Sequence, residues 1–293
     1  MKQFKGLMIK EWNTYKKNFM VPIWIMTGIY ALMILAVIIG YAKTGTISSN
    51  MDFSKYDQSF YNFFLYTISL GVSISSAFMV VVTTAGLVDN MLNDDFKKKC
   101  SIFHLAQPVE LWKILSAKFV TILMVNLVLM VIIGFVNCTV FSTVYSILTG
   151  SAFLYGYLAF LQGVILSLST IILILSTLWF LNSIFKDKGL LYGILIVGGI
   201  DIIILIFNAM YGTAIPAISQ KYLSLTFSNI HIGFSNSQNL NMMIDHLGYA
   251  DKLTLFIQQV WIECLNITFL IRIALSAVFL YIGYIFYKRR DIV

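Results

Sequence analysis

Charge is what this chain has least of. Only 11% of its 293 residues are Asp, Glu, Lys or Arg, against roughly 25% in ordinary soluble domains. With 59% of residues hydrophobic, an ordinary soluble fold is excluded. Cysteine is scarce too. Cys100, Cys138 and Cys264 lie far apart with no C-x-x-C spacing, which excludes a disulfide framework or a thiolate zinc site. The three histidines, His104, His231 and His246, are equally scattered and offer no metal-ligand spacing. No G-x-x-x-x-G-K-[ST], H-E-x-x-H or G-x-S-x-G motif occurs. The chain is therefore not expected to cradle ATP phosphates or to carry protease or hydrolase chemistry. It reads as a non-enzyme that binds no cofactor and no metal. The formal charge of +7 could suggest nucleic acid, but the basic residues cluster at the ends of apolar runs, so a lipid bilayer is the expected partner and nucleic acid is not.

What the chain has is long apolar runs. A lipid-exposed backbone must satisfy its own hydrogen bonds, so only helices or closed barrels span membranes. The runs are continuous rather than alternating, which selects helices. The expected fold class is an all-α integral membrane protein with six transmembrane helices, at about 21–41, 63–88, 115–145, 152–181, 189–210 and 269–286. The third and fourth exceed the ~20 residues that a span needs, so they must tilt, kink or project. Ahead of them, Phe4, Leu7, Met8, Trp12, Tyr15 and Phe19 recur at helical spacing while Lys2, Lys5, Lys16 and Lys17 point elsewhere. Residues 1–20 thus read as an N-terminal amphipathic helix in the membrane interface.

Lysine and arginine set the orientation. Six spans put both termini on one side, together with fifteen of the twenty basic residues: Lys2, Lys5, Lys10, Lys16, Lys17, Lys97, Lys98, Lys99, Lys113, Lys118, Lys186, Lys188, Lys288, Arg289 and Arg290. The other side receives Lys43, Lys55, Lys221 and Lys252, and Arg272 lies inside the sixth span. Both termini are therefore expected in the cytoplasm. Residues 211–268 form a long outer segment, whose second half carries Leu253, Phe256, Ile257, Val260, Trp261 and Cys264 on one helical face.

The cytoplasmic segment 89–112 concentrates charge. Leu92, Phe96, Cys100 and Phe103 share one helical face, Asp94, Asp95, Lys97 and Lys98 take the remainder, and Gln107-Pro108 ends the helix. One reading is a short amphipathic helix, a turn, and a helix re-entering the membrane with Pro in its first turn. The plainer reading is an interfacial loop whose charges are simply solvated.

The order of parts resembles a type-2 ABC transporter permease. The likeness rests on the basic amphipathic start "IKEWNTYKKNF", the re-entry "AQPVELWKILSAKF", six spans with a long outer segment between the fifth and sixth, and the ending "YKRRDIV". It covers essentially the whole chain as one permease domain, 1–293. It implies a prokaryotic cytoplasmic-membrane protein working with a cytoplasmic ABC ATPase subunit, which holds ATP and Mg, and with a second permease subunit, identical or not. Export is the implied direction. It further implies that the segment between spans two and three is a coupling helix docking on the ATPase through Asp94, Asp95, Phe96, Lys97, Lys98, Lys99 and Phe103. An apolar anchor with a charged rim suits such a contact. Two other classes stand beside this one: an ion-coupled secondary transporter, which needs intramembrane carboxylates and paired broken helices, and a non-transport scaffold or assembly protein.

Inside the spans, Asp201 stands in "GGIDIIILIF". An intramembrane carboxylate costs at least ~2.5 kcal/mol at mid-membrane, so it must face a partner or water. It is read either as a contact for substrate or protons or, preferably, as a structural group held in an ion pair or a hydrogen bond, with Arg272 as one candidate partner. Span two carries Ser69, Ser73 and Ala77 at four-residue spacing with Ser76 nearby, and span four carries Ala159, Gly163 and Ser167. Such stripes mean close helix packing or a mildly polar path lining.

Overall fold

The computed structural model describes residues 2–44, 57–97, 110–185, 188–227 and 248–290, and every regular element among them is an α-helix. The helices are α1 (Lys2–Phe19), α2 (Val21–Thr44), α3 (Gln58–Lys97), α4 (Leu111–Thr149), α5 (Leu154–Ile184), α6 (Gly189–Tyr211), α7 (Ile218–Phe227), α8 (Tyr249–Cys264) and α9 (Ile267–Arg290). Among the described residues, five stretches are long and apolar enough to cross a membrane: Gln58–Asp94, Leu111–Thr149, Leu154–Ile184, Gly189–Tyr211 and Tyr249–Arg289. A multi-pass, all-helical membrane protein follows from these. α2 carries the sequence of the first expected span.

Three helices make the centre. Half of the most apolar window is buried in each of α3, α4 and α5, but only 6% in α6. α3 and α4 run antiparallel, and their register can be read from polar contacts. Asn137 Nδ2 donates to Ser76 Oγ over 2.7 Å, Thr84 Oγ1 to Asn126 Oδ1 over 2.6 Å, and Lys118 Nζ to the Met91 carbonyl over 2.5 Å. At the far end Gln58 Nε2 donates to the Gly150 carbonyl. Gly150 takes the left-handed conformation, φ 71°, as its N–H closes α4 on the Ser146 carbonyl. The turn needs that conformation, which glycine adopts without a Cβ penalty.

α5 returns parallel to α3. Two apolar clusters hold the bundle. One joins Tyr15 and Phe19 of α1, the second half of α3, the first half of α4, Trp179 of α5 and Tyr287 of α9. The other joins Tyr66 and Leu70 of α3, Ala159 and Leu166 of α5, and Leu253, Val260 and Cys264 of α8. Of the helical face expected over 253–264, α8 buries Leu253, Val260 and Cys264 and partly buries Phe256 and Ile257, while Trp261 is exposed.

The charged segment departs from expectation in one respect. α3 runs unbroken for 40 residues to Lys97, so residues 89–97 continue the preceding long helix rather than beginning a separate one. Re-entry starts at Leu111, with Glu110 extended before it (φ −61°, ψ 136°). Lys98, Lys99 and Phe103 lie outside the described residues.

Candidate functional site

Asp94, Asp95, Phe96 and Lys97 form the last turn of α3. Immediately before them, three successive backbone carbonyls are each taken by a side chain from a different helix. Tyr15 Oη of α1 donates to the Asn90 carbonyl over 3.3 Å. Lys118 Nζ of α4 donates to that of Met91 over 2.5 Å. Tyr287 Oη of α9 donates to that of Leu92 over 3.3 Å. Each carbonyl has a second lone pair beyond the one used within the helix, so α3 needs no distortion to accept them. The single Tyr15 hydroxyl hydrogen is shared with Asp94 Oδ2, at 3.0 Å, and Asn93 Nδ2 donates to Asp89 Oδ1 over 2.5 Å.

Most of this junction is buried. Tyr15, Met91, Leu92, Lys118 and Tyr287 are all buried, as are Glu11 of α1 and Asn93. A buried hydrogen bond is electrostatically stronger than one in water, and leaving either partner unmade is correspondingly costly. The end of α3 is therefore fixed to α1, α4 and α9 at once. Across the break, Glu110 and Lys113 make a local pair at 3.2 Å with both side chains exposed. The Lys113 and Trp112 hydrogen bonds hold the Glu110 carboxyl below the usual carboxylate range. Such an exposed pair is screened by solvent and contributes little to stability.

Sequence reasoning used Lys118 only as a topological charge, although a signal was present. Lys118 falls at helical spacing with Leu115, Ile122 and Val125, all buried on α4. Tyr15 was placed correctly on the apolar face of α1. Nothing local marked Tyr287 or Glu11.

Ser69, Ser73 and Ser76 are all buried, in the seam of α3 with α5 and α4. Ser73 Oγ donates to the Phe160 carbonyl over 3.3 Å, and Ser76 Oγ to that of Val72 over 2.7 Å. A Cβ built on Gly163 would stand 2.6 Å from Ser73 Oγ and 2.7 Å from its Cβ. The stripe on α5 therefore meets the stripe on α3 at backbone contact. Within this chain these serines pack helices.

Of the two structural readings of Asp201, the structure has hydrogen bonds and no pairing with Arg272. Asp201 Oδ1 accepts the Ile218 N–H at 2.6 Å, and Oδ2 accepts that of Ser219 at 3.1 Å. These are free N–H groups at the start of α7, which every helix leaves without an internal partner. Arg272 is fully buried. Its Nε donates to the Leu225 carbonyl over 2.8 Å and its Nη1 to Ser169 Oγ over 3.1 Å. Both charged side chains are thus engaged with backbone groups of α7 rather than with each other.

Residues 212–227 also differ from a simple outer segment. After Gly212, in the left-handed region (φ 63°), the chain turns back along α6. Asn208 holds both the Ile215 carbonyl, at 2.8 Å, and the Ile215 N–H, at 3.1 Å. Asp201, two turns further down α6, holds Ile218. α7 then packs on α5, where Tyr222 Oη donates to Thr177 Oγ1 over 3.0 Å and Thr170 Oγ1 to the Thr226 carbonyl over 3.1 Å.

No group of three or more His, Cys, Asp or Glu side chains that could hold a metal ion occurs among the described residues. No protein-family model, curated protein or solved structure matches this chain.

Proposed function

We propose that this chain is the membrane-spanning permease subunit of an ATP-driven transporter of the type-2 ABC kind, acting in export. In this reading it spans the membrane six times with both termini in the cytoplasm, and it pairs with a second permease subunit. A separate ATPase subunit supplies ATP and Mg. The observation that carries the reading is the junction at Asn90, Met91 and Leu92. It stands directly before Asp94–Lys97, at the point where a docked ATPase would push.

A force applied at the end of α3 needs a stiff path into the membrane helices. Side-chain contacts to three consecutive carbonyls, two buried and one part-buried, supply one, and they lead into α1, α4 and α9 together. A solvated interfacial loop has no need of such bracing. The capping role of Asp201 also weighs against an ion-coupled transporter, because that carboxylate already serves a backbone.

The test is assembly with a partner. Phe96→Ala combined with Phe103→Ala removes the expected aromatic anchors, and truncating such an anchor typically costs ~2 kcal/mol or more of binding. The double variant should insert normally but lose its ATPase subunit during purification and cease ATP-dependent transport. Retention of a full complement of ATPase would turn the segment back into a membrane anchor.

A further inference from the structure

We propose that Asp201 and Arg272 are positioning residues of one device, a two-ended electrostatic seat that holds α7 within the depth of the membrane. This rests on the membrane reading alone and is independent of any ATPase partner.

The argument begins with depth. Asp201 lies at the middle of α6, about 15 Å along the axis from its outer end at Tyr211, at 1.5 Å per residue. The Ile218 N–H meets Asp201 at 2.6 Å, so α7 begins at mid-helix level. The chain has come back down beside α6, and Asn208 secures it halfway at Ile215. Residues 212–217 are non-helical. Non-helical backbone at such a level must find partners within the protein, because lipid supplies none. Asn208 is that partner at Ile215, and Asp201 then takes the first N–H groups of α7.

The second half concerns the ends of α7. A helix carries partial positive charge at its start and partial negative charge at its end. α7 meets a carboxylate at its first N–H groups and a guanidinium at the carbonyl of Leu225, in its last turn. The two charges come from different helices, α6 and α9. Each complements the end it touches. α7 has only ten residues, too few to be stable alone in water, so its ends decide whether it stays in place. Phe227 marks what the seat positions. It packs edge-on against Phe78 of α3 at 6.0 Å and lines a small apolar pocket between α3 and α5, together with Ile74, Val81 and Ile171.

The full-length protein in lipid nanodiscs, followed by hydrogen–deuterium exchange, tests the proposal. Peptides covering 218–227 should be protected in the wild type. Asp201→Ala should raise their exchange about tenfold, as loss of a charged N-terminal cap predicts. Asp201→Asn keeps an acceptor and should retain most of the protection. Arg272→Gln should release the same peptides, and Arg272→Lys should do so less. Peptides of α3 and α5 should keep wild-type exchange throughout. If Arg272→Gln does not fold, the Ala and Asn variants at 201 decide by themselves. Wild-type exchange over 218–227 in Asp201→Ala, or equal loosening of α3 and α5, would overturn the proposal. Neither result would bear on ATPase binding, which the Phe96 and Phe103 variants address separately.

Discussion

The Lys118 ammonium stands 2.5 Å from the carbonyl oxygen of Met91, with both residues buried at the end of α3. A charge-assisted hydrogen bond in such a place contributes about 1.5–3 kcal/mol. Lys118→Met keeps an unbranched, flexible side chain and loses the donor. We expect a thermal midpoint lowered by several degrees, measured by fluorescence-detected size exclusion in detergent. Lys113→Met, at a side chain 37% exposed, should leave the midpoint unchanged.

Tyr15 and Tyr287 approach the same turn of α3 from two different helices, α1 and α9. Tyr15→Phe and Tyr287→Phe should each lose about 1 kcal/mol. The carbonyls they use are two residues apart, so the effects should not add. A double-mutant cycle in mixed-micelle unfolding should give a coupling of at least about 0.5 kcal/mol. Strict additivity would mean that the junction is three separate contacts and not one rigid unit.

Gly163 sets a contest between two known effects. Alanine is the better helix former by roughly 1 kcal/mol. Its Cβ would meet Ser73 Oγ at 2.6 Å and Ser73 Cβ at 2.7 Å, and overpacking of that kind costs about 1–3 kcal/mol. The clash should win, because the obstructing Cβ is fixed to the α3 backbone and cannot swing aside. Gly163→Ala should reduce the yield of monodisperse protein, and Ser73→Gly in the same chain should restore it.

Orientation can be read without a partner. Reporter fusions after Val293 and within 230–248 should report opposite sides of the membrane, with the C-terminal reporter in the cytoplasm. The expectation rests on fifteen basic residues on one side against four on the other. Identical sidedness would remove the six-span arrangement and the coupling assignment with it.

Much of the fold is visible along the sequence because its cause is local. Apolarity sustained over ~20 residues makes a membrane helix whatever its neighbours are. The boundaries expected for α4, α5, α6 and α9 fall within a few residues of those observed. Helical periodicity was equally sufficient for the face of α8 at Leu253, Val260 and Cys264, and small residues at four-residue spacing for the seam of Ser73 with Gly163. Charge content placed the polar segment between α3 and α4, but it did not reveal that α3 itself continues to Lys97.

Partners were a different matter. From the sequence, Asp201 and Arg272 are two opposite charges in apolar surroundings, and pairing them is the simplest solution. Folded, each faces backbone groups at one end of α7, and those groups exist only because the chain turns back at Gly212. Lys118 reads as one more basic residue near a helix start until α4 is set against α3 in the register that brings Ser76 to Asn137, Thr84 to Asn126 and Met91 to Lys118. The sequence by itself determined that this is a helical membrane chain and where the apolar middle of each long helix lies, since burial in lipid depends on composition averaged along a segment. Which polar group meets which was decided by the tertiary structure, because a hydrogen bond depends on the relative register of two helices to within an ångström, and that register belongs to neither helix alone.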